Sequence, residues 1–323
     1  MGSGKLRQWE RRATPSSDRL KPDPSPDPGS IAVPAADVDI DEALVRGLLA
    51  EQHPDLASLP LEEVESGWDN VIFRLGAQLA VRLPRRQAAN RLLEHEQRWL
   101  PSFAERLCIP IPVPLRVGKP GGDYPFGWSV IPWLRGTACD IEPPTDDQGR
   151  ELARFLERLH VAAPRDAPRS QVRGVPLESR AEVVEARLRR LEMKTSSITA
   201  GVRRTWRDAL GADRNRNETW IHGDLHARNV LVDAGKFSGV IDWGDLAAGD
   251  KATDLASVWM LLPGARARRE AIEAYPDKSP ALWARARGWA VLFGALLLDT
   301  GLEGHARHAR IGALTLMRIA EES

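Results

Sequence analysis

Trp220-Ile221-His222-Gly223-Asp224-Leu225-His226-Ala227-Arg228-Asn229-Val230-Leu231-Val232, followed closely by Val240-Ile241-Asp242-Trp243-Gly244-Asp245, is the stretch of this 323-residue chain that carries chemistry. Apolar runs bracket a polar, glycine-containing loop, and a second apolar run ends in the Asp242 carboxylate. The spacing predicts a hairpin with Asp224, Asn229 and Asp242 at its mouth. Asp and Asn oxygens suit Mg²⁺, a hard cation usually held by one or two protein groups plus phosphate oxygens. A further carboxylate outside the metal shell can take a proton from a substrate hydroxyl. The plain alternative is a polar turn satisfying its own backbone, since Asp and Asn are frequent turn formers.

On either side of this stretch the sequence shows two styles. A helix is predicted over Asp39–Gln52, where Ile40, Leu44 and Leu48 share a face. Val71–Leu75 and Leu79–Leu83 read as strands joined by Gly76-Ala77-Gln78. An amphipathic helix follows over about Gln87–Ala104, then strand candidates at Pro114–Gly118 and Phe126–Trp133. Beyond residue 133 helices dominate: Glu151–His160, Arg266–Ala274, Ala281–Leu298 and Arg307–Ala320. The expected fold class is therefore α+β and bilobal, with a small antiparallel-sheet N-lobe and a larger helical C-lobe. Residues 1–36 form a Pro/Ser-rich arm without apolar periodicity and are expected to be disordered. That leaves 37–133 as the N-lobe and 134–323 as the C-lobe.

Composition narrows the function. Lys+Arg and Asp+Glu balance at 45 each, so no global field favours nucleic acid or an anionic membrane. The most apolar run, Trp289–Leu298, is about half the roughly 20 residues a helix needs to cross a bilayer, so no membrane association is expected. Cys108 and Cys139 are the only cysteines, which points to a reduced, cytoplasmic setting. No protein partner is implied.

The spacing His222-x-Asp224 with Asn229, then Asp242-x-Gly244, is that of a kinase catalytic loop and its metal-binding Asp-x-Gly. The wording of both segments resembles the aminoglycoside phosphotransferase family, small-molecule kinases on the protein-kinase-like fold. Ser66-Gly67-Trp68-Asp69-Asn70 is similar to that family's phosphate-covering turn and Tyr124–Trp128 to its hinge-side strand. The stretch Gly249-Asp250 through Asp254-Leu255-Ala256 is similar to the segment after its metal Asp. The resemblance implies Asp224 as catalytic base or hydroxyl orienter, His222 as a residue steadying the loop, and Asn229 and Asp242 on Mg²⁺. It implies a nucleotide pocket at Gly67, Asn70, Ala80, Arg82, Glu96, Ile131 and Trp133, taking ATP or GTP. Core packing remains the alternative for Trp133, and His226 reads either as loop packing or as a phosphate contact.

One departure stands out. Between Lys21 and Lys119 there is no lysine, so Arg82 stands at the strand position where the resemblance implies a grip on the α/β-phosphates, with Glu96 as expected partner and Glu94 as second choice; a surface ion pair is the alternative for Arg82. The substitution keeps a nucleotide-binding pseudokinase open as an alternative. The acceptor is expected to be a small-molecule hydroxyl, by resemblance an aminoglycoside-type antibiotic; another antibiotic, a metabolic amine or a sugar alcohol is the alternative. A polycation should seek acids such as Asp140, Glu142, Asp245, Asp250, Asp299 and Glu303. From Leu255 onward, however, Lys and Arg outnumber Asp and Glu.

Overall fold

The computed structural model describes residues 35–67, 69–213 and 217–322. The arm expected over 1–36 therefore lies, up to residue 34, outside the described residues.

Asp41 caps the first helix by accepting from the Leu44 N–H at 2.8 Å, so α1 runs Glu42–Gln52 and starts later than its apolar periodicity suggests. Strands β1 (Leu61–Ser66), β2 (Asn70–Leu75) and β3 (Leu79–Pro84) follow, the β2–β3 hairpin turning through Gly76 at φ +60°. Helix α2 spans Gln87–Trp99 and tightens into a 3₁₀ turn, Leu100–Phe103, shorter than the expected helix because Pro101 has no N–H to continue it.

Strand β4 is Arg116–Gly118, since Pro114 cannot donate to a ladder, and β5 is Trp128–Pro132. The Gly127 N–H bonds the Asn90 side chain at 3.0 Å, which takes Phe126 and Gly127 out of β5. All five strands form one antiparallel sheet in the order β1-β2-β3-β5-β4. One face packs Val71, Phe73, Leu75, Val81, Leu83 and Val130 against Val45, Leu48 and Leu49 of α1. The other face carries Ala80 opposite Ile131, and Arg82 opposite Ser129 and Ile72.

The rest is mainly helical. After β6 (Thr137–Ala138) come α3 (Gly149–Leu159), α4 (Ala181–Glu192) and α5 (Ala200–Leu210). Short strands β7 (Thr219–Ile221), β8 (Val230–Asp233), β9 (Lys236–Val240) and β10 (Ala247–Gly249) precede α6 (Ala252–Leu255), α7 (Ser257–Leu261), α8 (Ala265–Ala274), α9 (Pro280–Gly301) and α10 (Ala306–Glu321). β7 pairs with β10, whereas β8 pairs with β9 and β6. The hairpin read from sequence is thus β8–β9, with the polar loop entering its open end from a different sheet.

Helix α9 is the spine of this lobe. Its 22 residues are long and apolar enough to span a bilayer, but 78% of its most apolar window is buried among the surrounding helices. It is apolar around most of its circumference because most of its sides are packed. A second core, including Phe155, Leu156, Trp206, Trp243, Trp259 and Trp289, surrounds it.

Candidate active site

The polar loop between β7 and β8 is held by a buried carboxylate that sequence reading did not assign. Asp254, fully buried on α6, accepts from the His222 N–H at 2.7 Å and the Gly223 N–H at 2.9 Å. His160 Nε2 lies 3.4 Å away from the same carboxylate and is tied through Nδ1 to the Tyr275 hydroxyl at 2.9 Å. Gly223 has φ +86°, and a Cβ there would sit 2.7 Å from the Asp245 carbonyl oxygen, so only glycine fits.

His222 is buried and its tautomer follows from its partners. Nδ1 lies 3.2 Å from the Asp224 backbone N–H, which can only donate, so the proton sits on Nε2 and goes to the Ile241 carbonyl at 3.1 Å. Its ring centroid lies 4.7 Å from that of Trp243, itself buried against Phe103 and Phe155. His222 thus links the loop to the backbone just before Asp242. A second link is the Ile241 N–H, which donates to the Asn229 carbonyl at 2.9 Å.

Asp224, Asn229 and Asp242 converge as the spacing suggested. Asn229 Nδ2 donates to the Asp224 carbonyl at 2.9 Å and reaches its carboxylate at 3.3 Å. Asp242 is a non-glycine residue at φ +60°, a left-handed conformation that costs energy and that clusters at functional sites. Its carboxylate is 59% exposed and therefore open to a ligand. One exposed carboxylate and one amide on joined backbones are a donor set that fits Mg²⁺ bound jointly by protein and phosphate. Among the described residues no group of three His, Cys, Asp or Glu side chains could hold a metal by itself.

Burial pushes the Asp224 carboxyl up, but His226 and Arg173 outweigh it and hold it well below the usual carboxylate range. His226 Nδ1 accepts from the Arg228 N–H at 3.2 Å, which leaves Nε2–H to face Asp224 at 3.3 Å. Arg173 Nη2 is 3.0 Å from Asp224 and its Nε is 3.8 Å from Asp245. Asp245 is pushed up by burial, with Arg173 opposing and the Asp224 and Asp242 charges adding to the rise. Arg173 comes from the loop between α3 and α4, where no periodicity marks it.

On the sheet side, Arg82 and Glu96 form a buried ion pair through Nη1 and Oε2, and Arg82 Nη2 lies 3.5 Å from Asp242. Burial alone would lower the Arg82 pKa; Glu96 and Asp242 hold it above its ordinary value. Glu94, the second-choice partner, instead accepts from Asn90 at 2.8 Å. Glu96 Oε1 is buried without a hydrogen-bond partner. With its amide oxygen turned inward, Asn70 accepts from Arg82 Nε at 3.2 Å and Nη2 at 3.0 Å.

Arg85 Nη1 donates to the Gly67 carbonyl at 2.7 Å, anchoring that turn to the end of β3. Ile131, across from Ala80, and Trp133 are half-buried, and the Arg74 guanidinium lies 5.1 Å over the Trp133 ring. Gly67, Asn70, Ala80, Arg82, Glu96 and Ile131 therefore sit on or beside one side of the sheet, and Arg82 connects it to Asp242.

The model of the phosphotransferase enzyme family matches residues 60–289. The chain is 24% identical over 210 residues to the uncharacterized protein YcbJ of Bacillus subtilis (strain 168), spanning 62% of this chain and 67% of that one. The solved GDP complex of wild-type aminoglycoside 2'-phosphotransferase-IIIa has a TM-score of 0.62 at 18% identity, covering 88% of this chain and all of that one (100%). Macrolide 2'-phosphotransferase MphH from Brachybacterium faecium, as apoenzyme, has a TM-score of 0.55 at 22% identity, covering 85% and 97% respectively. The structural likeness establishes a shared protein-kinase-like, bilobal fold.

Proposed function

The chain belongs to the phosphotransferase enzyme family, and from that premise we propose that it transfers the terminal phosphoryl group of ATP or GTP to a hydroxyl of a small molecule. The observation that carries this reading is the convergence of Asp224, Asn229 and Asp242 at one loop mouth, with Arg82 bridging Asp242 to Glu96.

In this reading residues 37–133 bind the nucleotide and 134–323 bind the acceptor. Arg82 grips the α/β-phosphates, Glu96 fixes Arg82, and the turn at Gly67 and Asn70 covers the phosphates. Ala80, Ile131 and Trp133 border the base. Asn229 and Asp242 hold Mg²⁺, which when bound neutralises phosphate oxygens and aligns them for in-line transfer. Asp224 accepts the hydroxyl proton as the acceptor oxygen forms its bond to the γ-phosphorus. The bond to the bridging oxygen breaks, and its electron pair leaves with the nucleoside diphosphate. A carboxyl held ionised by the Arg173 guanidinium and the His226 N–H is ready to orient that hydroxyl at neutral pH. His222 keeps the loop in place without touching substrate.

The neighbours' names make antibiotic hydroxyls, aminoglycoside or macrolide, the first acceptors to assay. Cys108 and Cys139 are both unpaired thiols, which fits work in a reduced cytoplasm. The test is nucleotide turnover with Mg²⁺ across aminoglycosides, macrolides, choline-like amines and sugar alcohols, with Asp224→Ala in parallel. Acceptor-stimulated turnover lost in the variant supports the reading. Stimulated turnover that survives in Asp224→Ala contradicts it.

A further inference from the structure

The charge around Asp224 is unlike a receptor for polycations. Four of the acids that could draw one are already committed. Asp140 pairs with Arg307 at 2.6 Å, Asp245 with Arg173 at 3.8 Å, and Asp250 with Arg285 at 2.7 Å. Asp299, almost fully buried on α9, takes both Arg187 and Arg190. Arg228 Nη1 lies 2.7 Å from His308 Nε2, and burial together with the Arg228 charge holds His308 down at about 4.

Arg173, Arg180 and Arg187 lie near one another between Asp224 and α4. Arg173 lies 4.8 Å over the Phe293 ring of α9 while its other edge meets Asp224. Arg180, at the start of α4, neighbours Arg173 and Arg187. Arg187 is discharged on Asp299 at 3.1 Å, and Arg173 on Asp224. Arg180 is not: among the described residues it makes no ion pair, and its Nε is buried without a hydrogen-bond partner. Burial and the two neighbouring guanidiniums push its pKa down. A partly desolvated cation held beside two others costs stability unless something of opposite charge visits it.

We propose that Arg173 and Arg180 form an anion subsite for the acceptor, so that the alcohol phosphorylated here carries a carboxylate or a phosphate monoester. The anion supplies the counter-charge Arg180 lacks, docking on guanidiniums that offer paired N–H donors. Because Arg173 also touches Asp224, an acceptor anchored there has its hydroxyl within reach of the base. The inference rests on the phosphotransferase reading and narrows its acceptor to anionic alcohols.

The experiment is calorimetric titration of the full-length protein with malonate and with inorganic phosphate, at ionic strength matched with chloride. It is run with and without saturating Mg–ADP, so that the nucleotide phosphate site is filled in one arm. Wild type is expected to bind malonate, phosphate or both in the Mg–ADP arm. Arg180→Ala should weaken that binding about tenfold or more, with partial recovery in Arg180→Lys. Malonate alone identifies a carboxylate-bearing acceptor, and phosphate alone a phosphate-bearing one. No binding of either anion, or equal binding in wild type and Arg180→Ala, overturns the subsite. Failure of Mg–ADP itself to bind counts against the phosphotransferase reading, and the nucleotide-free arm still reports on the two arginines.

Discussion

Replacing Arg82 by Met should damage the protein in two separable ways, and a double-mutant cycle with Glu96→Gln tells them apart. Arg82 and Glu96 are 7% and 3% exposed, so removing one partner strands the other's charge in a dry environment. Breaking a buried pair this way costs about 3–5 kcal/mol, whereas replacing both partners is often close to neutral. Arg82→Met is therefore expected to lose about 3–5 kcal/mol at pH 8, and Arg82→Met/Glu96→Gln to recover most of it. In the single variant Glu96 keeps burial, which drives its carboxyl up, and loses the cation that opposed it.

The sign of the pH dependence follows. A folded state that holds a proton which the unfolded chain releases near the usual Glu value of about 4.3 loses stability as pH rises above that value. The deficit of Arg82→Met should thus be smaller at pH 5 than at pH 8. The assay is urea unfolding with linear extrapolation at both pH values, alongside the nucleotide KM. Restored stability in the double variant with a KM that stays high assigns Arg82 to the phosphates as well as to the scaffold. A loss within about 0.5 kcal/mol for Arg82→Met at pH 8, typical of a surface site, would refute the buried-pair argument.

Three further outcomes are expected. Arg173→Leu removes one of the charges that hold the Asp224 carboxyl low against burial, so the acidic limb of the kcat profile should move to higher pH; an unmoved limb separates Arg173 from the base. Asp254→Asn weakens the bonds to His222 and Gly223, each worth about 1.5–3 kcal/mol to a charged acceptor, and should lower both Tm and kcat while leaving nucleotide KM near wild type. Gly174→Ala, at φ +66° with its new Cβ 2.6 Å from Ile221 Cδ1 and 2.8 Å from the Gly249 Cα, should destabilise by about 1–3 kcal/mol in urea unfolding.

The features readable in the sequence are those held by local chain spacing. Asp224 and Asn229 share one short loop, and the Ile241–Asn229 backbone bond needs only the adjacent hairpin to bring Asp242 alongside. Arg82 and Glu96 were readable because strand alternation and a helix face fix where each side chain points. The edge strand β1 was not, since Leu-Glu-Glu-Val-Glu-Ser has too little apolar alternation to stand out. Helices α4 and α5 hide their stripes, Val184, Leu188, Leu191 and Val202, Trp206, Ala209, among arginines and acids. Arg173 was illegible for a different reason. Its place is set by Gly174 packing on Gly249, a contact between segments far apart in the chain, and neither glycine announces the other. Asp254 belonged to a segment singled out by resemblance, but its role depends on α6 lying under the loop, which is tertiary information.

The most direct measurement follows the γ-phosphate itself. ATP and GTP labelled at that position would be incubated with Mg²⁺, wild-type protein and anionic, neutral and cationic alcohols, and the products separated and identified by mass. Label appearing as a phosphomonoester of an alcohol, and absent with Asp224→Asn, is the predicted result. Nucleotide that binds with Mg²⁺ while its label never leaves it for any alcohol, or that transfers equally well with Asp224→Asn, would contradict the account.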